Sequence, residues 1–459
     1  MIDSAAPPTD DPGTDDARLS VTWLNHAAVL IERGPIRLLT DPWFEGTCFA
    51  GGWQLAHHEP RALDLAATAT HLWISHWHSD HFHAPTLKAL ARRNPQLEVL
   101  ANRSANFDMG PALARFGFRR ITALPERQPV PIGGGEVLRV PTAGIDNMLV
   151  LRTGRWTVLD YNDCNLPRAA LSRIAERLRR RYGPIDLLLS NYNHAGRLFD
   201  DRAPAAIADG FWEGYLGVLD ATEPLWSLPF ASSHRYIGDG RDQNDSLTPL
   251  DALPVRAADS RHAERIVPWA IGDRITWADP SAEPQRRSRQ PTLVPSPVQP
   301  RDYGPSVPWG VLRGAATRRI RTLDRAFFGL NRLLGELVIY ARDHDRRLRL
   351  CPGAGAIDGG RGPGDAHLTA HSRALHDWLG RRFGDDTFLA GAHFTLTARD
   401  PAAVQRWLLP AVLEASELDL RNAARWLLTD RGRRFLWNRR EEIAATVLGG
   451  RLFAGGLRF

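Results

Sequence analysis

Seven residues constrain this chain more than any other stretch: Ser75-His76-Trp77-His78-Ser79-Asp80-His81. The apolar run His71–Ser75 reads as a strand leading into them, and Pro85 opens an amphipathic helix, PTLKALARRN, just beyond. Side chains at i and i+2 of a strand end face one way, so His76 and His78 can hold one metal ion together. The following turn presents Asp80 and His81 to the other side, giving two adjacent half-sites. Histidine and aspartate donors suit divalent first-row metals. The plain alternative is a His-rich surface loop. Five histidines within thirteen residues (His71, His76, His78, His81, His83), in the order HxHxDH and bounded by strand and helix, argue against it.

Short elements surround the motif. Ser20–Trp23, Ala28–Glu32 and Ile36–Thr40 read as strands, with a hairpin turn at Arg33-Gly34-Pro35. Ile121–Ala123, Pro129–Ile132, Val137–Val140, Met148–Arg152 and Trp156–Asp160 read as strands too, and Ala112–Phe116 as a short helix. Pro167–Tyr182 reads as a helix closed by Gly183, and Ile185–Ser190 as a buried strand. Sheets followed by strand–helix alternation predict two sheets flanked by helices. Eight prolines fall between 280 and 308. Arg313–Arg347 and Asp400–Val447 read as helical. Gly353–Gly364 reads as a flexible loop, since no Lys or Ser/Thr follows as a phosphate loop requires. The predicted organisation is a disordered tail over 1–18, a catalytic domain over 19–279, a Pro-rich linker or excursion over 280–309, and a mostly helical C-terminal domain over 310–459.

Composition removes other classes. No apolar run approaches the ~20 residues of a membrane-spanning helix. The acidic, Pro-rich start MIDSAAPPTDDPGTDDAR does not read as a signal peptide. Three cysteines (Cys48, Cys164, Cys351) make no disulfide framework, which predicts a reducing, cytoplasmic setting. None lies in a CxxC pair or two residues from a histidine, so this sequence holds no cysteine-ligated iron–sulfur or Rieske cluster of its own. The net charge of +6 comes from 58 basic and 52 acidic residues, and Lys88 is the only lysine. The arginine clusters read as solvated surface, and no nucleic-acid partner is expected.

HxHxDH resembles the signature of the metallo-β-lactamase fold superfamily. The resemblance implies an αββα sandwich with a dinuclear site at one sheet edge. It implies that His76 and His78 serve the first metal, and Asp80 and His81 the second. It also implies a bridging carboxylate after a later strand, matched by Asp163 in TVLDYNDC with Asp160 as runner-up. A last histidine is matched by His194 in LLLSNYNHAG. Four blocks in order, TDPWFEGTCFAGGWQLAHHEP, SHWHSDHFHAPTLKAL, LDYNDCNL and PFASSHRYIGDGRDQNDSLTPL, resemble the metallo-β-lactamase-fold part of the CMP-N-acetylneuraminate hydroxylase family. That resemblance implies hydroxylation of a small molecule, anionic or sugar-like, at a metal site fed by a Rieske domain. Lacking such a domain, this chain would need a ferredoxin or reductase as a separate partner.

One family ligand is missing. The superfamily places a further histidine for the first metal between the motif and the bridging carboxylate, and no histidine lies between His83 and His194. Asp146, just before a strand, is the candidate substitute; an ordinary turn aspartate is the alternative. Asp80, Asp146 and Asp163 together would make an oxygen-rich donor set. That favours harder ions and moves the expectation from dizinc hydrolysis towards two irons. The alternative is a dinuclear zinc or manganese hydrolase of an amide, lactone or phosphoester, with Asp80 steering the attacking hydroxide. A non-catalytic binding module fits poorly, because burying so many polar groups without a metal is costly.

Other residues are weighed the same way. His26, in LNHAAVLIE, reads as a structural hydrogen-bonder, and Asp41 as either an orienter of a ligating histidine or a turn former. His58, His234, Arg235, Asn244 and Asp245 are substrate-contact candidates. Trp43, Trp53 and Trp77 read as core or pocket wall.

Overall fold

The computed structural model describes residues 18–102, 108–142, 145–288, 294–299, 301–326, 330–381, 383–397 and 400–415, with residues 428, 429, 433, 436 and 437. The expected tail, and most of Asp400–Val447 beyond Ala415, lie outside these.

Alternation builds the first sheet. Along Ile36–Thr40, Ile36 and Leu38 turn into a core shared with the second sheet, while Leu39 turns towards the helices behind. The sheet has eight strands, in the order 285–287, 274–277, 19–25, 28–33, 36–40, 71–73, 98–101, 120–123. Helices Ala62–Ala66, Ala84–Arg93 and Gly110–Phe116 cover its outer face through Leu87, Leu90 and Leu113. A second sheet of six strands runs 129–132, 135–141, 147–153, 156–162, 187–190, 226–229. Helices Arg168–Tyr182 and Pro204–Thr222 contribute Leu171, Ile174, Leu216 and Leu219 to the core on this side. The result is the αββα sandwich.

Parallel pairing places the chemistry. Ile36–Thr40 runs parallel to His71–Trp73, and Trp156–Asn162 runs parallel to Leu187–Ser190 and so to Trp226–Pro229. Parallel neighbours end at one edge, where Asp41, the motif, Asp163, His194 and His234 emerge.

The region beyond 309 carries the expected helices, at Trp309–Ala326, Ser372–Gly380, Gly384–Ala390 and Pro401–Ala415. It also carries a five-stranded sheet that the sequence reading missed. Helix was expected through Arg347; instead it ends at Ala326, and Leu337–Ala341 and Arg346–Cys351 pair antiparallel. LVIYA is β-branched and aromatic, and RRLRLC buries alternate residues, a period-2 signal hidden by its arginines. The expected Gly-rich loop is in part a strand, Gly355–Arg361, on the same sheet. A Cβ at Gly359 would stand 2.9 Å from that of Arg347, so glycine lets the arginine side chains lie across the strand.

The Pro-rich stretch hugs the sandwich. Gln285–Arg287 extends the first sheet, Val294–Pro295 pairs with His57–His58, and the Gln54 amide holds Pro297 O and Gln299 N.

Candidate metal centre

The strand His71–Trp73 ends two residues before Ser75, and a tight turn, with His81 N and Phe82 N both donating to His78 O, folds Asp80 and His81 back beside His76. His83 is the N-cap of Ala84–Arg93, its Nδ1 facing Thr86, and His71 sits at the far end of its strand against Thr70. Two of the five clustered histidines are thus structural.

Of the remaining three, His76 and His81 converge with carboxylates, while His78, like Asp146, lies outside both convergent groups. Donor atoms of His76, His81 and Asp163 lie within 4.8 Å of one another, as do those of His26, Asp80 and His81. His81 Nε2 stands 3.0 Å from Asp163 and 3.3 Å from Asp80, and its Nδ1 donates to Asp41 at 3.0 Å. Asn162, in the left-handed region at φ 55°, ends its strand, donates to Asp41 and turns Asp163 inward. Asp160 lies outside both groups; burial raises it well above the carboxylate range. Asp146 stands 3.7 Å from His76 Nε2. His78 is bound through Nε2 to Asp386, at 2.7 Å, from the helix Gly384–Ala390.

These donors fit metal ions. His76 Nε2, Asp80 Oδ1 and Asp163 Oδ1 are buried atoms without a hydrogen-bond partner among the described residues, each costing ~1–3 kcal/mol if nothing satisfies it. Burial, then the neighbouring histidines, push His76 well below its usual range, which keeps it neutral as a ligand must be. Burial opposes charge on His81, yet Asp80, Asp163 and Asp41 raise it strongly; the cluster favours positive charge. Burial likewise opposes charge on His78, and Asp386, Asp80 and Asp146 overcome it, giving about 9. Burial pushes Asp146 up to about 7. Exposure is graded: the side chains of His26, His76, Asp80 and His81 are at most 2% exposed, while those of His78, Asp146, Asp163 and Asp386 are 19–23% exposed. The second group therefore forms the mouth.

The other predicted residues lie as follows. His194 has both nitrogens engaged, by Ser246 and Tyr236, and stands outside the two convergent groups. His234 stacks on Trp53 at 3.9 Å beside His26, with both nitrogens buried and without hydrogen-bond partners among the described residues. Asn244 spends its amide on the Tyr236 backbone. Arg235 is half-buried; His58 and Asp245 are exposed. His26 hydrogen-bonds Asp80 at 3.2 Å, as expected of a structural hydrogen-bonder, and also falls in one convergent group. Asp386 was not singled out in the sequence, where nothing local marks it.

Residues 20–154 match the family model of the beta-lactamase superfamily domain. Curated relatives named cytidine monophosphate-N-acetylneuraminic acid hydroxylase match from Asterias rubens, 43% identical over 82 residues, and Danio rerio, 35% over 95. Those matches cover 18% and 20% of this chain and 13% and 16% of the relatives' length. Among solved structures, CmlA, a diiron beta-hydroxylase from Streptomyces venezuelae, is 18% identical with a TM-score of 0.39, covering 58% of this chain and 55% of that one. Igni18, a metallo hydrolase from Ignicoccus hospitalis, is 14% identical with a TM-score of 0.38, covering 57% and 98%. The N-terminal part of the chain is a metallo-β-lactamase-superfamily domain, matched over residues 20–154.

Proposed function

We propose that this chain is a dinuclear metalloenzyme, with iron as the metal, that hydroxylates an anionic or sugar-like small molecule using electrons from a separate ferredoxin or reductase. The observation that carries the reading is the carboxylate-rich cluster, above all Asp146 beside His76 Nε2. His76, His78 and Asp146 form the first half-site, Asp80 and His81 the second, and Asp163 lies between them. His26 and His234 stand on the buried side of the second half-site, where His194 had been expected. Two bound irons would supply Lewis acidity and dioxygen chemistry. The chain's own part is to keep His76 neutral, to bury one flank against water, and to admit substrate at the partly exposed mouth. The hydroxylase-named relatives support this reading, and their short overlap leaves the substrate to the chemistry of that mouth. Cys48, Cys164 and Cys351 form no disulfide among the described residues, which suits a reducing cytoplasm. No helix among the described residues is long and apolar enough to cross a membrane.

The hydrolase reading keeps one observation in its favour: the sequence holds no redox cluster of its own, and hydrolysis needs no electron donor. Metal content decides. Protein from iron- and zinc-replete medium, purified anaerobically without added metal, should carry two irons per chain and consume O2 with a chemical reductant. Two zincs with ester, amide or phosphodiester cleavage would overturn the oxygenase reading.

A further inference from the structure

The reading above leaves the C-terminal region without a role. Two successive motif residues touch that region, and the next reaches it through Phe49. Trp77 packs against Phe383, ring centroids 4.5 Å apart. His78 Nε2 meets Asp386 at 2.7 Å. Ser79 Oγ accepts from Phe49 N, and Phe49 O in turn accepts from His393 Nε2 at 2.6 Å. The helix bearing Asp386 is firmly seated. Phe388 stacks between Trp378 and Phe394, at 4.4 and 4.8 Å. Asp385, next to Asp386, accepts from Trp378 Nε1 at 2.7 Å and pairs with Arg319. Arg197, from the sandwich, donates its backbone N–H to Leu389 O at 2.9 Å. Trp43, Phe49, Trp53 and Tyr236 share one apolar cluster with Ala390 and Ala392. Asp386 is thus held from both sides, on a platform shared by the two regions.

We propose that Asp386 is a positioning residue of the metal centre, through which the C-terminal region fixes His78 so that its Nδ1 is the nitrogen offered to the first metal. An imidazole has two nitrogens, and the hydrogen bond on one decides which other nitrogen ligates. With Nε2–H held by a carboxylate, Nδ1 carries the lone pair. The carboxylate also raises the ligand's basicity and stops the half-exposed ring from rotating away. His76 is oriented from within the sandwich, by Ser75 on its Nδ1, and His81 by Asp41. His78 alone of the three takes its orienting partner from the other region, some three hundred residues along the chain. The C-terminal region is on this view a working wall of the site.

The inference rests on the dinuclear reading, and the test separates the two. Full-length metal-free protein is titrated with Co2+ alone against a competing chelator, following visible absorption and stoichiometry. Asp386→Ala should weaken one of the two ions by 10–100-fold and change the absorption of that ion only. Asp386→Asn, which keeps an oxygen acceptor, should lie between Ala and wild type. His78→Ala should affect the same ion, and the double variant should be no worse than His78→Ala, because the two residues act as a unit. Circular dichroism of the metal-free variants checks that the fold persists. If Asp386→Ala fails to fold, the Asn variant carries the comparison. Wild-type protein that takes up no Co2+ would sink the metal-centre reading and this inference with it. Two ions bound with affinity and absorption indifferent to position 386, or Asp386 and His78 effects that simply add, would sink this inference alone.

Discussion

Asp41→Asn should damage both half-sites at once. Asp41 is wholly buried at the end of Ile36–Thr40, in the left-handed region at φ 33°. Oδ1 accepts from Ser75 N at 2.8 Å. Oδ2 accepts from Ser75 Oγ at 2.7 Å, His81 Nδ1 at 3.0 Å and Asn162 Nδ2 at 2.5 Å. Having given its proton to Asp41, the Ser75 hydroxyl can only accept from His76 Nδ1, 2.9 Å away. One carboxylate therefore orients two of the proposed ligands: His81 directly, His76 through Ser75. With Nδ1–H held in each, a metal ion would be offered the Nε2 of both. An asparagine with its carbonyl at Oδ1 keeps the Ser75 N–H but turns an NH2 towards three donors. Serine can rotate and Asn162 can flip, whereas His81 must move its proton to Nε2, the nitrogen the metal needs. A hydrogen bond to a charged group is worth ~1.5–3 kcal/mol, and a stranded buried donor costs ~1–3 kcal/mol. With partial rearrangement, the metal-free protein should lose ~2–4 kcal/mol. Each metal should bind 10–100-fold more weakly, as expected when an outer hydrogen-bond partner of a ligand is lost. Urea unfolding in chelator measures the first quantity, and chelator competition on the folded protein the second. A variant with the wild-type unfolding midpoint and two ions at wild-type affinity would refute the tautomer relay.

Two further outcomes follow from the seam between the regions. Burial lowers His393 to about 3, so the folded protein keeps it neutral while the unfolded chain takes up a proton near pH 6.5. Its contribution is therefore whole above 6.5 and is lost as pH falls towards 3. His393→Gln, which keeps an N–H for Phe49 O, should narrow its stability deficit against wild type by on the order of 2 kcal/mol between pH 7 and 5; a pH-independent difference in urea unfolding would refute this. Gly52→Ala would put a Cβ 2.4 Å from Gly391 O and 2.5 Å from Gly391 Cα, backbone that cannot swing aside. It should cost ~1–3 kcal/mol, and an unchanged thermal midpoint would show that the seam gives way freely.

Local signals were the legible ones. Pro129–Ile132 is found where the sequence puts it, and the helix expected over Pro167–Tyr182 runs Arg168–Tyr182 with Pro167 as N-cap and Gly183 as C-cap. Those boundaries are set by neighbours in the chain, through proline geometry and glycine's left-handed freedom. The same holds for HxHxDH, whose spacing is a property of one strand end and one turn. His194 and His234 show the limit. Each follows a parallel strand of the second sheet, so sequence order makes both plausible as the last histidine. What separates them is non-local: Ser246 and Tyr236 occupy the nitrogens of His194, and nothing among the described residues hydrogen-bonds those of His234. Hydrogen-bond satisfaction is decided only once distant segments meet.

Charge explains why the C-terminal region must meet the motif at all. The sandwich alone brings Asp41, Asp80, Asp146, Asp160 and Asp163 to one edge, against His26, His76, His78 and His81. Anionic groups crowded at low dielectric are tolerable only where cations or donors face each of them. On the buried flank the protein supplies those partners, with Ser75, Asn162 and His26 arrayed around Asp41 and Asp80. The mouth is different. There burial pushes Asp146 up to about 7, a cost that His78 and His81 only partly offset. Asp386 adds a further carboxylate to that flank, and His78 answers it. A region built only to cover the sandwich would close this edge with apolar or basic side chains. Closing it with an acid deepens the demand for positive charge on the more exposed flank of the cluster, a demand that the two metal ions proposed above would meet.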